Sequence, residues 1–420
     1  MSAPSANVRS AFHVLAKPTG AICNLACEYC YYLSKELLYP GSLFRMTDEV
    51  LKAYIEQLLA SQQAPEVSVS WQGGEPTVMG LDFFKRSVEL VKKHKKQGQH
   101  VTYTLQTNGT RLDDEWCVFF KQHNFLVGLS IDGPPEMHDA YRVDRGGHGS
   151  YEQVRRGWDL LQKHKVDTNV LCTVHAANAS HPLTVYRFFR DDLRARFIQF
   201  IPVVERVIPE TRLLADGGKP ELSGGARALR MQEDHLIGRR SVESKQFGTF
   251  LIDVFEEWVH HDIGTVFVQT FDSALASWCG LPASVCVFQE TCGGSLVLEH
   301  NGDLYSCDHF VEPAYRLGNI LVTPMIELVT SSRQQQFGLD KRDRLPACCR
   351  VCDVNFACHG ECPRNRFLSP ARTGTPGGDE DGLNHLCAGY QLFFHHVDRP
   401  MRIMADLLRQ GRAPAEMMRL

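Results

Sequence analysis

Apolar and polar positions in the first half of the chain follow two alternating periods. Short runs rich in β-branched and aromatic residues read as strands: Phe12 to Ala16, Val67 to Trp71, Val101 to Gln106, Leu126 to Ile131, Thr168 to Val174 and Phe197 to Ile201. Between them, apolar residues recur three and four apart. After Met46, Thr47 stands where a helix cap belongs, Asp48 and Glu49 fill the first turn, and Leu51, Tyr54, Ile55, Leu58 and Leu59 form an apolar stripe. The same period marks Phe83 to Val91, Trp116 to Phe120, Tyr151 to Leu161 and Leu183 to Phe189. Repeated βα units predict six parallel strands covered by helices, since a parallel pair needs a crossover that lays a helix on the sheet. An open sheet and a full or partial barrel both satisfy this pattern.

The stretch Ala215 to Ala226, with its Gly and Pro, predicts a loop that closes the first domain. A further core-facing helix is predicted from Phe247, Phe250, Leu251, Val254, Phe255, Trp258 and Val259. Beyond Cys279 the texture changes. Ten of the fifteen cysteines lie between Cys279 and Cys387, among short segments with many Gly, Pro and Asp, as where metal ligation replaces a large apolar core. A length of 420 residues favours two domains, and a net charge of -4 offers no basic field for nucleic acid or an anionic membrane. The opening MSAPSANVRS lacks a charged segment followed by an apolar one, and no window has the apolar length to span a bilayer. A cytoplasmic protein is expected. In that reducing compartment clustered cysteines point to metal or catalysis rather than disulfides.

Cys23, Cys27 and Cys30 form C-x3-C-x2-C directly after the first predicted strand. Three thiolates hold three irons of a cubane cluster and leave the fourth iron open, whereas an electron carrier normally supplies four cysteines. Structural zinc also wants four ligands, and no fourth Cys or His stands nearby in sequence. The later cysteines read Cys286, Cys292, Cys307, then Cys349-x2-Cys352-x5-Cys358-x3-Cys362, then Cys387. Eight thiolates make two closed four-cysteine sites, and their spacing alone leaves zinc and iron–sulfur both open. Cys117, Cys172, Cys279 and Cys348 remain outside these sets; Cys117 and Cys172 are expected to pack, and Cys348 competes with Cys349 as a ligand.

The triad, with Tyr29 before its last cysteine, resembles the signature of the radical S-adenosylmethionine superfamily. Gln72-Gly73-Gly74-Glu75-Pro76 resembles that family's GGEP motif, although two glycines after a strand are more often a turn. With the C-terminal cysteines, the chain resembles radical enzymes carrying a SPASM domain, and within them the anaerobic sulfatase-maturating enzymes. Trp71 to Thr77, Glu299 to Asp308 and Leu317-Gly318-Asn319-Ile320 carry that likeness, which covers nearly the whole chain.

The resemblance implies an α/β fold: a partial (β/α)6 TIM-like barrel over residues 1–235, a connecting helix over 236–275, a cysteine-rich SPASM domain over 276–390 and a C-terminal helix over 391–420. It implies three four-iron, four-sulfur clusters and S-adenosylmethionine as cofactors. Cys23, Cys27 and Cys30 would hold the first cluster, Cys286, Cys292, Cys307 and Cys362 the second, and Cys349, Cys352, Cys358 and Cys387 the third. Tyr29, Gln72, Gly74, Ser130, Arg142 and Val203 would contact S-adenosylmethionine, though Arg142 alone reads as a surface charge.

The implied reaction is oxidation of a cysteine or serine in a sulfatase, within a C/S-x-P-x-R motif, to Cα-formylglycine. In the family a 5′-deoxyadenosyl radical takes a hydrogen atom and a base takes a proton; the matching residue here is Asp308, which would otherwise be a turn residue. An electron donor such as flavodoxin or ferredoxin is the implied second partner. Two other readings stand beside this one: a maturase that forms a thioether or carbon–carbon crosslink in another peptide, and a non-catalytic metal or electron carrier. The open triad argues against the carrier, and the lack of an evident leader-binding segment before residue 12 favours the sulfatase reading over crosslinking.

Overall fold

The computed structural model of this chain describes residues 12–206, 229–232, 235–368 and 382–419. The expected loop from Ala215 to Ala226 lies outside them, as do residues 1–11. Along the chain come β1 (His13–Lys17), α1 (Asp48–Ser61), β2 (Glu66–Trp71), α2 (Leu81–His94), β3 (His100–Thr107), α3 (Asp114–Gln122) and β4 (Phe125–Ser130). Then follow α4 (Tyr151–Lys163), β5 (Asp167–Val174), α5 (Pro182–Arg187), β6 (Phe197–Pro202), β7 (Leu229–Gln232), β8 (His235–Gly238), α6 (Ser244–His261), β9 (Phe267–Val268) and α7 (Gln269–Trp278). The chain closes with β10 (Ser295–Glu299), β11 (Asp303–Tyr305), β12 (Arg316–Asn319), α8 (Ser332–Asp343), β13 (Arg366–Leu368), β14 (Leu383–Asn384) and α9 (Cys387–Arg409). Each of the six strands expected from the first half is present, with ends within a residue of the expected ones. The last helix starts at Cys387 rather than 391, because the Leu386 amide donates to the Asn384 side chain at 2.8 Å and fixes the turn that opens it.

The chain divides into two interleaved compact units: Met1–Ile131, His138–Leu171 and Glu290–Asp343 make the first, and Asp132–Met137, Cys172–Gln289 and Arg344–Leu420 the second. In the first unit β1 pairs parallel with β2, β2 with β3, β3 with β4, and β4 with residues 167–171 of β5. On its other side β1 pairs parallel with β10, whose neighbours β11 and β12 run antiparallel. A strand from the cysteine-rich half therefore completes the sheet beside the strand that leads into the triad. In the second unit β6 pairs parallel with β9, and α6 lies against α9.

Local signals explain the helices. The Thr47 hydroxyl accepts from the Val50 amide at 3.3 Å, and the stripe of Val50, Leu51, Tyr54, Ile55, Leu58 and Leu59 is buried, each large apolar side chain contributing roughly 1.5–3 kcal/mol. Trp71, at the end of β2, packs edge-on against Tyr54 of α1 and against Phe83 and Phe84 of α2, with ring centroids 5.3–5.7 Å apart. This contact fixes the C-terminal end of β2, where the Gly-Gly turn begins. In the second unit α6 and α9 meet through glycines: a side chain on Gly248 would stand 2.4 Å from the Gly389 carbonyl, so only hydrogen fits. That crossing sets the position of α9 and hence of Cys387, its first residue.

Candidate active site and cysteine centres

The triad loop is built by backbone pairing. Ala26 and Glu28 amides donate to the carbonyls of Val143 and Tyr141 at 2.8 and 2.9 Å, and the Cys30 amide closes a turn on the Cys27 carbonyl at 3.0 Å. Cys23 Sγ accepts from the Leu25 amide at 3.3 Å and from Asn108 Nδ2 at 3.6 Å. Burial pushes the Cys23 thiol up to about 12, and the charges of Glu75, Cys27 and Cys30 push the same way. Thiols that crowd in this manner suit a cationic iron centre, which relieves the mutual repulsion of three thiolates.

The glycine motif lies directly against this loop. The Gly74 amide donates to the Gly20 carbonyl at 2.8 Å, and a Cβ on Gly74 would fall 2.0 Å from the Ile22 carbonyl. Glu75 is fully buried and accepts from the Thr77 amide and hydroxyl, the Thr107 hydroxyl and the Asn108 amide at 2.7–3.0 Å. Burial raises its carboxyl above the usual range, and those donors offset the rise only in part. Of the residues expected to contact S-adenosylmethionine, the structure brings Tyr29 and Arg142 together: Arg142 Nη1 donates to the Tyr29 hydroxyl at 2.7 Å. Arg142 is buried, so the surface-charge alternative does not hold. Ser130 accepts from Gln106 Nε2 at 2.9 Å, and the Gln72 amide donates to the Ala16 carbonyl at 2.9 Å. Val203 lies in the second unit, its amide bonded to the Val174 carbonyl at 2.8 Å.

Asp308 follows Cys307 in a short turn over Asp308–Phe310. Lys17, at the end of β1 and 1% exposed, places its Nζ 2.5 Å from Asp308 Oδ1. The Tyr31 hydroxyl donates to Asp308 Oδ2. Burial alone would raise this carboxyl, yet the charges of Lys17 and His309 with the bonds from Lys17 and Tyr31 hold it below the usual range. Lys17 Nζ also sits 4.2 Å over the Tyr32 ring, whose hydroxyl donates to Glu299 Oε1. Glu299 Oε2 meets His300 Nδ1 at 3.0 Å. Sequence reasoning missed Lys17, Tyr31, Tyr32 and Glu299. Lys17 carried a signal: a charge that ends an apolar strand, at the strand end where βα folds place their sites.

The C-terminal cysteines fall into two arrangements. Cys349, Cys352, Cys358 and Cys387 line one cavity in the second unit together with Gly360, Asn384, Tyr390 and Gln391. Burial and then the neighbouring Cys348 and Cys358 push the Cys349 thiol up to about 12, while Arg366 opposes. Burial and the charges of Cys358, Cys349 and Cys352 likewise raise Cys387. Four thiols around one cavity fit a closed four-cysteine cluster. Cys348 and Cys349 are both buried in an apolar cluster with Ile237, Phe367 and Leu383, and Cys348 is not among the cavity-lining residues. Of the other set, Cys292 and Cys307 lie in the first unit and Cys286 and Cys362 in the second. Among the described residues no three His, Cys, Asp or Glu side chains converge as a site for a single ion. Cys117 and Cys172 are fully buried in α3 and β5.

Residues 18–189 match the family model of the radical SAM superfamily, and residues 286–353 match that of SPASM, described as an iron–sulfur cluster-binding domain. The chain is 44% identical over 97% of its length to the serine-type anaerobic sulfatase-maturating enzyme of Bacteroides thetaiotaomicron, covering 94% of that protein. This chain belongs to the anaerobic sulfatase-maturating enzyme family. It is also 32% identical to the cysteine-type enzyme of Clostridium perfringens, over 91% of this chain and 95% of that one. The solved structure of anSMEcpe with bound AdoMet and the Cp18Cys peptide superposes with a TM-score of 0.78 at 30% identity, over 94% of this chain and 99% of that chain. The protein is thus a radical S-adenosylmethionine enzyme of α/β fold with a SPASM domain, and S-adenosylmethionine and iron–sulfur clusters are its cofactors. No helix among the described residues is long and apolar enough to cross a membrane.

Proposed function

We propose that this sulfatase-maturating enzyme oxidises a serine in a C/S-x-P-x-R segment of a sulfatase to Cα-formylglycine, with Asp308 as the base. The observation that carries this reading is one contact: Asp308, directly after Cys307, accepts a hydrogen bond from Tyr31, directly after Cys30. A carboxylate is thereby tied by the chain to a cysteine from each region. Serine is favoured over cysteine by the 44% identity to a serine-type relative against 32% to a cysteine-type one.

Cys23, Cys27 and Cys30 would hold the first cluster, Cys286, Cys292, Cys307 and Cys362 the second, and Cys349, Cys352, Cys358 and Cys387 the third. When bound, these groups with S-adenosylmethionine supply electron transfer and the removal of a hydrogen atom from the substrate Cβ. The chain's own residues do the rest. Lys17 keeps Asp308 ionised and so able to accept the substrate hydroxyl proton, and Tyr31 fixes the direction of the carboxylate. Tyr29, Gln72, Gly74, Ser130, Arg142 and Val203 are assigned to S-adenosylmethionine. Gly74 supports that assignment by letting the glycine motif pack directly on the triad loop, where no side chain fits. The residue ranges 1–235, 236–275, 276–390 and 391–420 serve as working boundaries of barrel, connector, SPASM domain and closing helix. The cytoplasm, where thiols stay reduced, is the proposed compartment, with a flavodoxin or ferredoxin as electron donor.

Anaerobic coexpression with a serine-type sulfatase in cells lacking another maturase tests this reading. The sulfatase should become active and its target serine should carry an aldehyde. An inactive sulfatase with unmodified serine would refute it.

A further inference from the structure

Among the polar side chains that line the cavity of Cys349, Cys352, Cys358 and Cys387 beside the cysteines, Gln391 is one that reaches a thiol. Gln391 stands four residues, about one helical turn, beyond Cys387 on α9, so both project from the same face. Its Nε2 donates to Cys352 Sγ at 3.6 Å, and the side chain lines the same cavity. We propose that Gln391 is a tuning residue for the cluster of these four cysteines, raising its reduction potential through an N–H···S hydrogen bond to Cys352.

The physical ground is charge. Reduction adds an electron to a cluster already made anionic by four thiolates, and a donor aimed at one sulfur stabilises the reduced form more than the oxidised form. Two further features act in the same sense, against the buried Glu361 carboxylate, which accepts from Asn384 of the cavity. Cys387 opens a helix of 23 residues, whose N-terminal end carries partial positive charge. The Arg366 guanidinium is anchored to the carbonyls of His359, Gly360 and Glu361 at 2.9–3.0 Å, between Cys358 and Cys362. Gln391 is the member of this set that can be changed with least damage. It is only partly buried, and its amide also lies outside the apolar stripe of Tyr390, Phe393, Phe394 and Val397 that holds α9 in place.

This inference rests on the proposed ligand set, and its test separates the two. The experiment compares anaerobically reconstituted wild-type holoenzyme with Gln391→Met, which keeps the side-chain length and removes the donor, and Gln391→Glu, which also adds negative charge. Iron content and the midpoint potential of each cluster are read by potentiometric titration with electron paramagnetic resonance. With iron unchanged, one potential should fall in Gln391→Met, its reduction equilibrium shifting about tenfold, or about 59 mV for one electron, and fall further in Gln391→Glu, while the others stay fixed. A purely packing role would not pick out one cluster. Unchanged potentials in both variants overturn the proposal. If Gln391→Met loses iron, Gln391→Lys, which keeps an N–H donor, decides: a potential at or above wild type supports the proposal, and one below it contradicts it. A Cys352→Ala protein that keeps every cluster signal would instead overturn the ligand set, and the inference with it.

Discussion

The cysteine loop after β1 and the cysteine cavity at the start of α9 present different surroundings to chemically similar thiols. Around Cys23 the buried Glu75 carboxyl, held by four donors, pushes the thiol up by its charge. Around Cys349 the partly buried Arg366 guanidinium opposes the rise, and Gln391 adds a donor to Cys352. Negative surroundings favour the oxidised state of a cluster and positive ones the reduced state. The loop supplies three thiols and the cavity four. On the proposed ligand sets, the three-thiol loop would hold the stronger reductant and the four-thiol cavity the electron store.

The harshest way to break this contrast is to remove one side of it. Changing Cys23, Cys27 and Cys30 to Ala should abolish formation of 5′-deoxyadenosine and lower iron from about twelve to about eight atoms per chain. Metal analysis and a nucleoside assay check both. Loss of all iron, or nucleoside at the wild-type rate, would show that the two regions are not separate centres.

Asp308→Asn is the next largest change, because it leaves the cysteines and removes only the carboxylate that Lys17 holds ionised. Cleavage of S-adenosylmethionine should persist while aldehyde yield falls by about 10²–10⁴. If yield stays near wild type, His309 or His300 takes the role instead.

Much of this arrangement is legible in sequence wherever the signal is local. The stripes of α1 to α4 and the cap at Thr47 define helices within a few turns, and C-x3-C-x2-C suggests an open centre by its spacing. What escapes is carried by contacts between distant residues. Nothing near Lys17 announces Asp308, and nothing in Ser295 to Glu299 says that this strand pairs with β1. Arg142 shows the same limit from the other side, since a lone arginine after a strand looks solvated until the Tyr29 hydroxyl is seen beneath it. Cys348 and Cys349 are alike in sequence, and only the cavity separates them.

Gly74→Ala sharpens the comparison more gently. The methyl would meet the Ile22 carbonyl of the loop, so overpacking should cost about 1–3 kcal/mol and weaken binding of S-adenosylmethionine, with the α9 cavity unaffected. Thermal unfolding and equilibrium dialysis measure the two effects; unchanged binding would detach the glycine motif from the cofactor.

The smallest change serves as the control. Asp113 caps α3, accepting from the Trp116 amide at 3.0 Å, far in sequence from either cysteine group. Asp113→Ala should destabilise by about 1 kcal/mol and leave iron content and both reactions as in wild type. Should it mimic Asp308→Asn, general instability would explain that variant as well.

The most direct measurement uses a peptide containing S-x-P-x-R with deuterium on the serine Cβ, incubated anaerobically with reductant, S-adenosylmethionine and the holoenzyme. Mass spectrometry follows the peptide and the nucleoside together. The account predicts an aldehyde at the serine and one deuterium in 5′-deoxyadenosine. A crosslinked peptide, or aldehyde-free peptide beside unlabelled nucleoside, would contradict it.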